Sequence, residues 1–192
     1  MCLKLGDSHL ISSFLNLADS HVLNAIDTIM VSRFKQRAAI LEEPKEPSYP
    51  TTSIIKVGKA LLYKFEADEL EIFPYFNKAV PFLHSMCDYI IFYPYENVMF
   101  VFLCELKTKK VSHSSKQVEA AKLLAEFILK MAERQLNFKR FKVEYRALIF
   151  STSNKRRFST SRKGGYSQYP ASKLKYKHLK AGRSCYLDHH CY

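Results

Sequence analysis

The sequence predicts an α/β fold in which a mixed β-sheet is flanked by helices, with a helical region at the N-terminal end. Residues 88–93 are aromatic and β-branched and residues 98–104 are continuously apolar, which is typical of two neighbouring strands, the second buried on both faces. Residues 115–136 place apolar side chains along one side of a helix, and residues 143–150 again have a strand pattern. A strand, a helix and a strand in this order indicate a sheet covered by helices.

The regions around this core divide the chain into two expected parts. Residues 8–40 carry two apolar stripes at helical spacing, and residues 42–52 hold three prolines and form a linker or a surface loop. We expect residues 1–45 to be a helical N-terminal region, packed against the sheet or mediating association, and residues 53–192 to form the main domain. Within that domain, the apolar spacing over residues 53–73 favours a further helix.

The charge of the chain is unevenly distributed. The formal net charge is +12; residues 1–104 carry nine basic and twelve acidic side chains, a balance of −3, whereas residues 105–192 carry twenty-one and six, a balance of +15. A basic half of this size predicts a polyanionic partner, nucleic acid above all. A basic surface that only aids solubility is the alternative. No basic helix with a broad apolar face accompanies the charge, so we do not expect a membrane surface as the partner.

Targeting and redox features predict a cytoplasmic protein. The sequence has no run of eighteen or more apolar residues, and its first residues lack the pattern of a signal peptide. The cysteines are odd in number and scattered, which argues against a disulfide framework and for a reducing compartment. They are Cys2, Cys87, Cys104, Cys185 and Cys191.

Three charged residues lie close to the ends of the two predicted strands. Glu105 and Lys107 are two residues apart at the end of the apolar strand, so their side chains share one face of the sheet. The hairpin is expected to close on a four-residue turn, with Tyr93 opposite Val98. In that register Asp88 lies diagonal to Glu105 on the same face, with about 7–8 Å between their Cα atoms. A register shifted by one residue would move Asp88 to the other face.

Two converging carboxylates repel each other unless a cation lies between them. A divalent ion that prefers oxygen ligands, Mg²⁺ or Mn²⁺, fits such a pair. The ammonium group of Lys107 could orient the attacking water and offset charge in the transition state. These roles predict hydrolysis of phosphodiester bonds. The alternative is a salt bridge between Glu105 and Lys107 at the strand end, with Asp88 an ordinary residue at the start of a strand.

The pattern resembles that of the PD-(D/E)xK nuclease superfamily, which includes restriction endonucleases and Holliday junction resolvases. It consists of Cys87-Asp88, then Glu105-Leu106-Lys107 seventeen residues after Asp88, then a helix opening with Lys116-Gln117. Cys87 replaces the proline of the family. The resemblance implies a restriction endonuclease-like sheet, metal binding by Asp88, Glu105 and the carbonyl of Leu106, and a catalytic Lys107.

In function, the resemblance implies a Mg²⁺- or Mn²⁺-dependent nuclease that acts on DNA rather than RNA, in defence or in DNA processing. A catalytically inactive nucleic-acid-binding or partner-binding protein of the same fold, as a homodimer or in a larger complex, is the alternative.

Two further positions depend on the resemblance. An upstream acid on a helix also binds metal in the family, and Glu69 is favoured here over Glu66 and Asp68. Gln117 has two interpretations. It faces the active site, as a glutamine near this position often does in the family, or it forms a capping box with Ser114.

A basic stretch over residues 153–167 is expected to bind the nucleic-acid backbone, with a disordered polar loop as the alternative. Tyr166 and Tyr169 could stack on the bases of a single-stranded substrate. A last strand near residues 174–179 continues the basic surface. The predicted nucleic-acid contacts are Lys109, Lys110, Lys155, Arg156, Arg157, Arg162 and Lys163.

The C-terminal residues Cys185, His189, His190 and Cys191 resemble a zinc cluster in residue type only. All four lie within seven residues, whereas zinc ligands usually form two separated pairs. We expect a frayed tail instead.

Overall fold

The computed structural model describes residues 20–43, 48–65, 80, 85–108, 114–136, 142–152 and 165–192, and within these ranges the protein is a mixed α/β structure. The elements are α1 (residues 20–29), β1 (Ile40–Leu41), β2 (Thr52–Ile55), β3 (Leu61–Lys64), β4 (Tyr89–Tyr95), β5 (Val98–Lys107), α2 (Ser114–Leu136), β6 (Lys142–Ser151), β7 (Ser167–Gln168), β8 (Lys175–Lys180) and β9 (Cys185–Tyr186). Short 3-10 turns lie at Ser32–Phe34 and Leu187–His190.

The main sheet has six strands in the order β3-β4-β5-β6-β8-β7. β5, β6 and β8 run parallel to one another, and the remaining neighbours are antiparallel. Parallel neighbours need a crossover connection, and α2 supplies the one between β5 and β6. A smaller sheet of order β1-β2-β9 pairs residues near both ends of the described chain. The predicted strands at residues 88–93, 98–104, 143–150 and 174–179 and the predicted helix at residues 115–136 are confirmed with small changes of boundary.

β5 is buried on both faces, as its continuous apolar run predicts. On one side, the helix face, Val101 and Leu103 pack with residues of α1 and α2. On the other, the small-sheet face, Phe100 and Phe102 pack with residues of β1, β2 and the C-terminal segment. Burial of each such side chain contributes roughly 1.5–3 kcal/mol. Truncation of the fully buried Phe102 to alanine would cost about 3–5 kcal/mol.

α2 lies on the helix face because small residues recur along one of its sides. Ala121, Ala125 and Ala132 are fully buried, and their short side chains let the helix approach the sheet closely. The opposite side of α2 is not purely polar. Leu123 and Phe127 are 66% and 61% exposed, one helical turn apart.

The β4–β5 hairpin closes on a two-residue turn rather than the expected four-residue turn. Glu96 and Asn97 have φ angles of 47° and 65°, the left-handed conformation that a tight hairpin turn requires at both central positions. Tyr95 therefore pairs with Val98, and the prediction of Tyr93 opposite Val98 is wrong by two residues. An even shift leaves every side chain on its predicted face.

One helical prediction is wrong, and a second holds only in part. Residues 53–65 form strands β2 and β3, separated by Gly58 at φ +85°, because both segments find pairing partners in a sheet. The helical prediction for residues 8–40 is confirmed for residues 20–29, and residues 8–19 lie outside the described residues. Ile40–Leu41 is instead a strand, and Lys35 bridges to Tyr63. α1 itself packs into the helix-face core.

The expected frayed C-terminal tail is also wrong. Ile54 of β2 pairs with Cys185 of β9, and Leu187 is fully buried against the main sheet. Tyr192 is tied by a 2.7 Å hydrogen bond between its hydroxyl and that of Tyr95. Apolar burial on the small-sheet face thus extends to the last residues described.

Neither of the helices in the described part of the chain is long and apolar enough to span a membrane.

Candidate active site

One edge of the main sheet brings together Asp88, Glu105 and Lys107, three of the charged residues singled out by the sequence. It is formed by the carboxyl ends of β5, β6 and β8 and the amino end of β4, and we call it the carboxyl edge. Glu105 and Lys107 lie in the last residues of β5, and Asp88 immediately precedes β4. Continued one residue beyond the pair Tyr89–Cys104, the register places Asp88 directly opposite Glu105, closer than the expected diagonal position.

At the end of the β4–β5 pairing, the side chain of Asp88 takes the place of a backbone hydrogen-bond acceptor. Its Oδ2 accepts a 2.6 Å hydrogen bond from the backbone N–H of Leu106. Burial raises the pKa of Asp88, and the Leu106 N–H and the charge of Lys107 oppose this shift. The carboxylate is thus held at a fixed position beside the end of β5.

Glu105 is the most deeply buried acid of the edge, with a side chain only 1% exposed. Its Oε1 forms an ion pair with Lys107 Nζ, whereas its Oε2 is buried without a hydrogen-bond partner in the described structure. Burial raises the pKa of Glu105, the charge of Asp88 raises it further, and Lys107 opposes both effects. A buried carboxylate oxygen without a partner is costly, so the site has unused capacity for a cation.

Lys107 is held in place by Gln117 of α2. Lys107 Nζ donates a 2.8 Å hydrogen bond to Gln117 Oε1, and Gln117 Nε2 donates to the carbonyl of Met86 at 3.4 Å. The side chain of Gln117 therefore faces the carboxyl edge. Its bond to Met86 also connects α2 to the segment that leads into Asp88.

Two neighbours of the site were not predicted from the sequence. The charge of Glu43 raises the pKa of Asp88, and the buried Tyr49 donates a 3.1 Å hydrogen bond from its hydroxyl to the carbonyl of Phe150. Burial raises the pKa of Tyr49, with the charge of Asp88 as a further cause. Both residues belong to the proline-rich stretch interpreted as a linker, where no spacing pattern marks them. In the sequence, the single sign that this stretch contacts the fold was an aromatic residue, Tyr49, between prolines.

Cys87 immediately precedes Asp88 in the chain. Its thiol is buried and donates a 3.2 Å hydrogen bond to the carbonyl of Tyr89, and burial raises its pKa well above the usual range. A protonated thiol of this kind packs as a small apolar group. It adds no charge to the site.

Several predicted site residues lie outside the described residues. They are the upstream acid Glu69 with its rivals Glu66 and Asp68, and the basic residues Lys109, Lys110, Lys155, Arg156, Arg157, Arg162 and Lys163.

The two tyrosines proposed for base stacking lie on different faces of the sheet. Tyr166 lies on the small-sheet face between Arg146 and Lys177, whose charged groups are 5.5 and 5.6 Å from its ring centre. Tyr169 lies on the helix face and stacks on Tyr176 with 4.2 Å between ring centres. Of the two, Tyr169 shares the face of Glu105.

The C-terminal cysteines and histidines do not gather into a metal site with other described residues. Across the described ranges, no group of three or more His, Cys, Asp or Glu side chains is arranged to hold a metal ion. Burial lowers the pKa of His190 to about 4, with the charge of Lys177 as a further cause. The cysteines pack instead as part of the small-sheet core.

The donor set at the carboxyl edge fits a divalent cation. Asp88 and Glu105 offer two carboxylates on facing strands, and the free Oε2 of Glu105 is an oxygen ligand without a partner among the described residues. An extended residue directs its N–H and C=O to the same side of its strand, so the Leu106 carbonyl also faces Asp88. Carboxylate and carbonyl oxygens are the ligands that Mg²⁺ and Mn²⁺ prefer.

Fold and site together define a mixed α/β protein in which the buried Glu105, at the carboxyl end of a parallel strand, faces the half-buried Asp88 at the start of the antiparallel β4. Comparisons with models of protein families, with curated proteins and with solved structures found no match to this chain.

Proposed function

We propose that this chain is a metal-dependent nuclease that hydrolyses phosphodiester bonds of DNA. The observation that carries the proposal is the buried Oε2 of Glu105, which has no partner among the described residues and lies opposite Asp88 and beside the ammonium group of Lys107. A sheet without function at this edge would gain stability by pairing that oxygen or replacing the acid.

The order of elements supports a restriction endonuclease-like fold of the PD-(D/E)xK type. From α1 to β6 the described main elements include three successive strands of the main sheet, β3, β4 and β5, then α2 and then β6. The resemblance implies the same order, with the middle two strands as a hairpin. In this proposal α1, rather than the helix expected over residues 53–73, precedes the three strands.

Each residue of the site has a distinct role in the proposed reaction. Asp88, Glu105 and the carbonyl of Leu106 hold Mg²⁺ or Mn²⁺, which when bound lowers the pKa of a water and offsets phosphate charge. Lys107 orients the attacking water and stabilises the negative charge that develops on the phosphate. Gln117 fixes the position of the Lys107 ammonium group through its 2.8 Å hydrogen bond.

The proposed partner is DNA, and the proposed location is the cytoplasm. The balance of +15 over residues 105–192 favours a polyanion. The described cysteines are free and buried, which suits a reducing compartment. Glu69 remains our proposed upstream metal ligand, and the basic residues around Arg156 our proposed backbone contacts.

Incubation of the purified protein with linear DNA, supercoiled DNA and RNA tests the proposal. We expect cleavage of DNA with Mg²⁺ or Mn²⁺, none with a chelator, and none by Lys107→Ala. Asp88→Asn should weaken binding of Mn²⁺, measured by electron paramagnetic resonance, without unfolding the protein. Wild-type cleavage rates in Lys107→Ala and unchanged Mn²⁺ binding in Asp88→Asn would together exclude this active site.

A partner-binding protein of the same fold is the second candidate, because Leu123 and Phe127 expose apolar surface on α2. In that case the apparent molecular mass in solution should rise with protein concentration as copies of the chain associate. Leu123→Lys should abolish this association. The chain should then cleave no nucleic acid with any metal.

A further inference from the structure

Two residues of β8 lie on the same face of the sheet as the candidate active site and in line with it. Glu105 pairs with Ile149 of β6, which pairs with His178 of β8. Lys107 is aligned in the same way, through Ser151, with Lys180. Neighbouring strands are about 4.8 Å apart, so each β8 residue is about 10 Å from its counterpart on β5.

Contacts of the β7–β8 segment place its side chains on the helix face beside Glu105. The rings of Tyr176 and His178 meet edge to face at 5.5 Å, and Tyr169 stacks on Tyr176. The charge of Glu105 contributes to the raised pKa of Tyr169, after burial as the main cause. His178 is half-buried on this face.

Lys180 is connected to Lys107 through the backbone of Thr152. Its Nζ donates a 2.8 Å hydrogen bond to the carbonyl of Thr152, and the N–H of Thr152 donates to the carbonyl of Lys107 at 3.3 Å. The charge of Lys180 is therefore held at the carboxyl edge by the backbone that follows β6.

We propose that β8 is the phosphate-binding wall of this site, with His178 and Lys180 contacting backbone phosphates a few nucleotides away from the scissile one. This inference rests on the proposed nuclease function. The carboxylates occupy one side of the edge, so a polyanionic strand needs cationic and N–H donors on the other. Ligands of open α/β sheets bind outside the carboxyl ends of the strands, where β8 ends. A separation of about 10 Å corresponds to about three nucleotides of one duplex strand at 3.4 Å each.

The test compares two lysines of the same strand. Lys180→Gln removes a charge on the helix face, and Lys175→Gln removes one from an exposed residue of β8 on the opposite face. We expect Lys180→Gln to raise the KM for DNA cleavage about fivefold with little change in kcat, and to lower the salt slope of DNA binding by about 1. Lys180→Arg should restore both values, and Lys175→Gln should leave both unchanged.

His178→Phe keeps a ring against Tyr176 but removes the N–H donors, and it should also raise KM. Equal effects of Lys180→Gln and Lys175→Gln, or no effect of Lys180→Gln and His178→Phe, would overturn the role of β8. Salt-dependent binding of DNA in the presence of a chelator separates this inference from the proposed function, because it needs neither metal nor cleavage. If the salt slope of DNA binding depended on Lys180 but no cleavage occurred under any condition, the proposed nuclease function would be refuted. The proposed phosphate contacts of β8 would still stand.

Discussion

Two glutamate–cation pairs lie on β5 and β6, at opposite ends of the main sheet. At one end, Glu144 accepts from Arg146 at 2.8 Å through one oxygen and pairs with Lys142 at 3.0 Å through the other. At the other end, among the described residues, Glu105 pairs with Lys107 through one oxygen only. The hydrogen bond from Arg146 lowers the pKa of Glu144, whereas burial raises that of Glu105.

The difference separates a structural ion pair from a candidate site. Glu144 is 26% exposed and has both oxygens paired, so folding favours its ionised form. Glu105 is 1% exposed, and Lys107 does not offset the cost of its burial beside Asp88. The ionised form of Glu105 therefore calls for more positive charge than its strand provides, which is what a bound divalent ion would add.

The largest expected difference between the two glutamates is in the rate of DNA cleavage. Glu105→Gln should lower the rate of Mg²⁺-dependent DNA cleavage at least about 100-fold, because a metal ligand is lost while the shape is kept. The matched change Glu144→Gln should retain cleavage. Initial rates with a linear DNA substrate give both values, and equal losses in the two variants would remove the distinction.

A smaller effect is expected for the unfolding free energy, and here Glu144→Gln should be the more damaging of the two changes. Glu144→Gln leaves the buried Arg146 without its carboxylate partner and should cost about 1–3 kcal/mol of unfolding free energy. Glu105→Gln should be neutral or stabilising by about 1 kcal/mol without metal, because a buried charge is removed. Chemical denaturation in a chelator measures both, and a strongly destabilised Glu105→Gln would show that the Lys107 pair is structural.

A third expected effect is the dependence of the unfolding free energy on pH. Because the pKa values of Asp88 and Glu105 are raised in the folded state, the native protein binds more protons than the unfolded chain between the ordinary carboxyl range and the raised values. Without metal, the unfolding free energy should therefore fall as pH rises through this window, by roughly 1.4 kcal/mol per pH unit for each extra proton that the native state binds. Glu105→Gln should flatten the profile. A wild-type profile that rises over the same window would contradict the raised pKa values.

The strands of the main sheet could largely be predicted because each strand or helix carries its own pattern of apolar residues. Apolar runs and helical spacing located β4, β5, α2, β6 and β8. The face shared by Asp88 and Glu105 was also predicted, although the register was not, because no strong signal marks Glu96 for the left-handed conformation that it shares with Asn97. An asparagine tolerates that conformation well, and a glutamate does so rarely.

Features that depend on distant pairing were not predictable. β2 and β3 have helix-like apolar spacing and become strands only because β1, β9 and β4 are there to pair with them. Glu43 and Tyr49 reach the site through the fold, not through a motif. The ordered C-terminus likewise depends on a parallel pair between Ile54 and Cys185.

The tight turn at Glu96–Asn97 has a consequence for the order of folding. It brings Asp88 opposite Glu105 through a hairpin, a contact of short sequence separation that forms within about 1–10 μs in isolated hairpins. Burial of Glu105 waits for the parallel pairing of β5 with β6, which must first close the long connection through α2. We expect the repulsion between the two acids to be strongest once β6 has docked, and a divalent ion bound at the proposed site should then lower the barrier of that step.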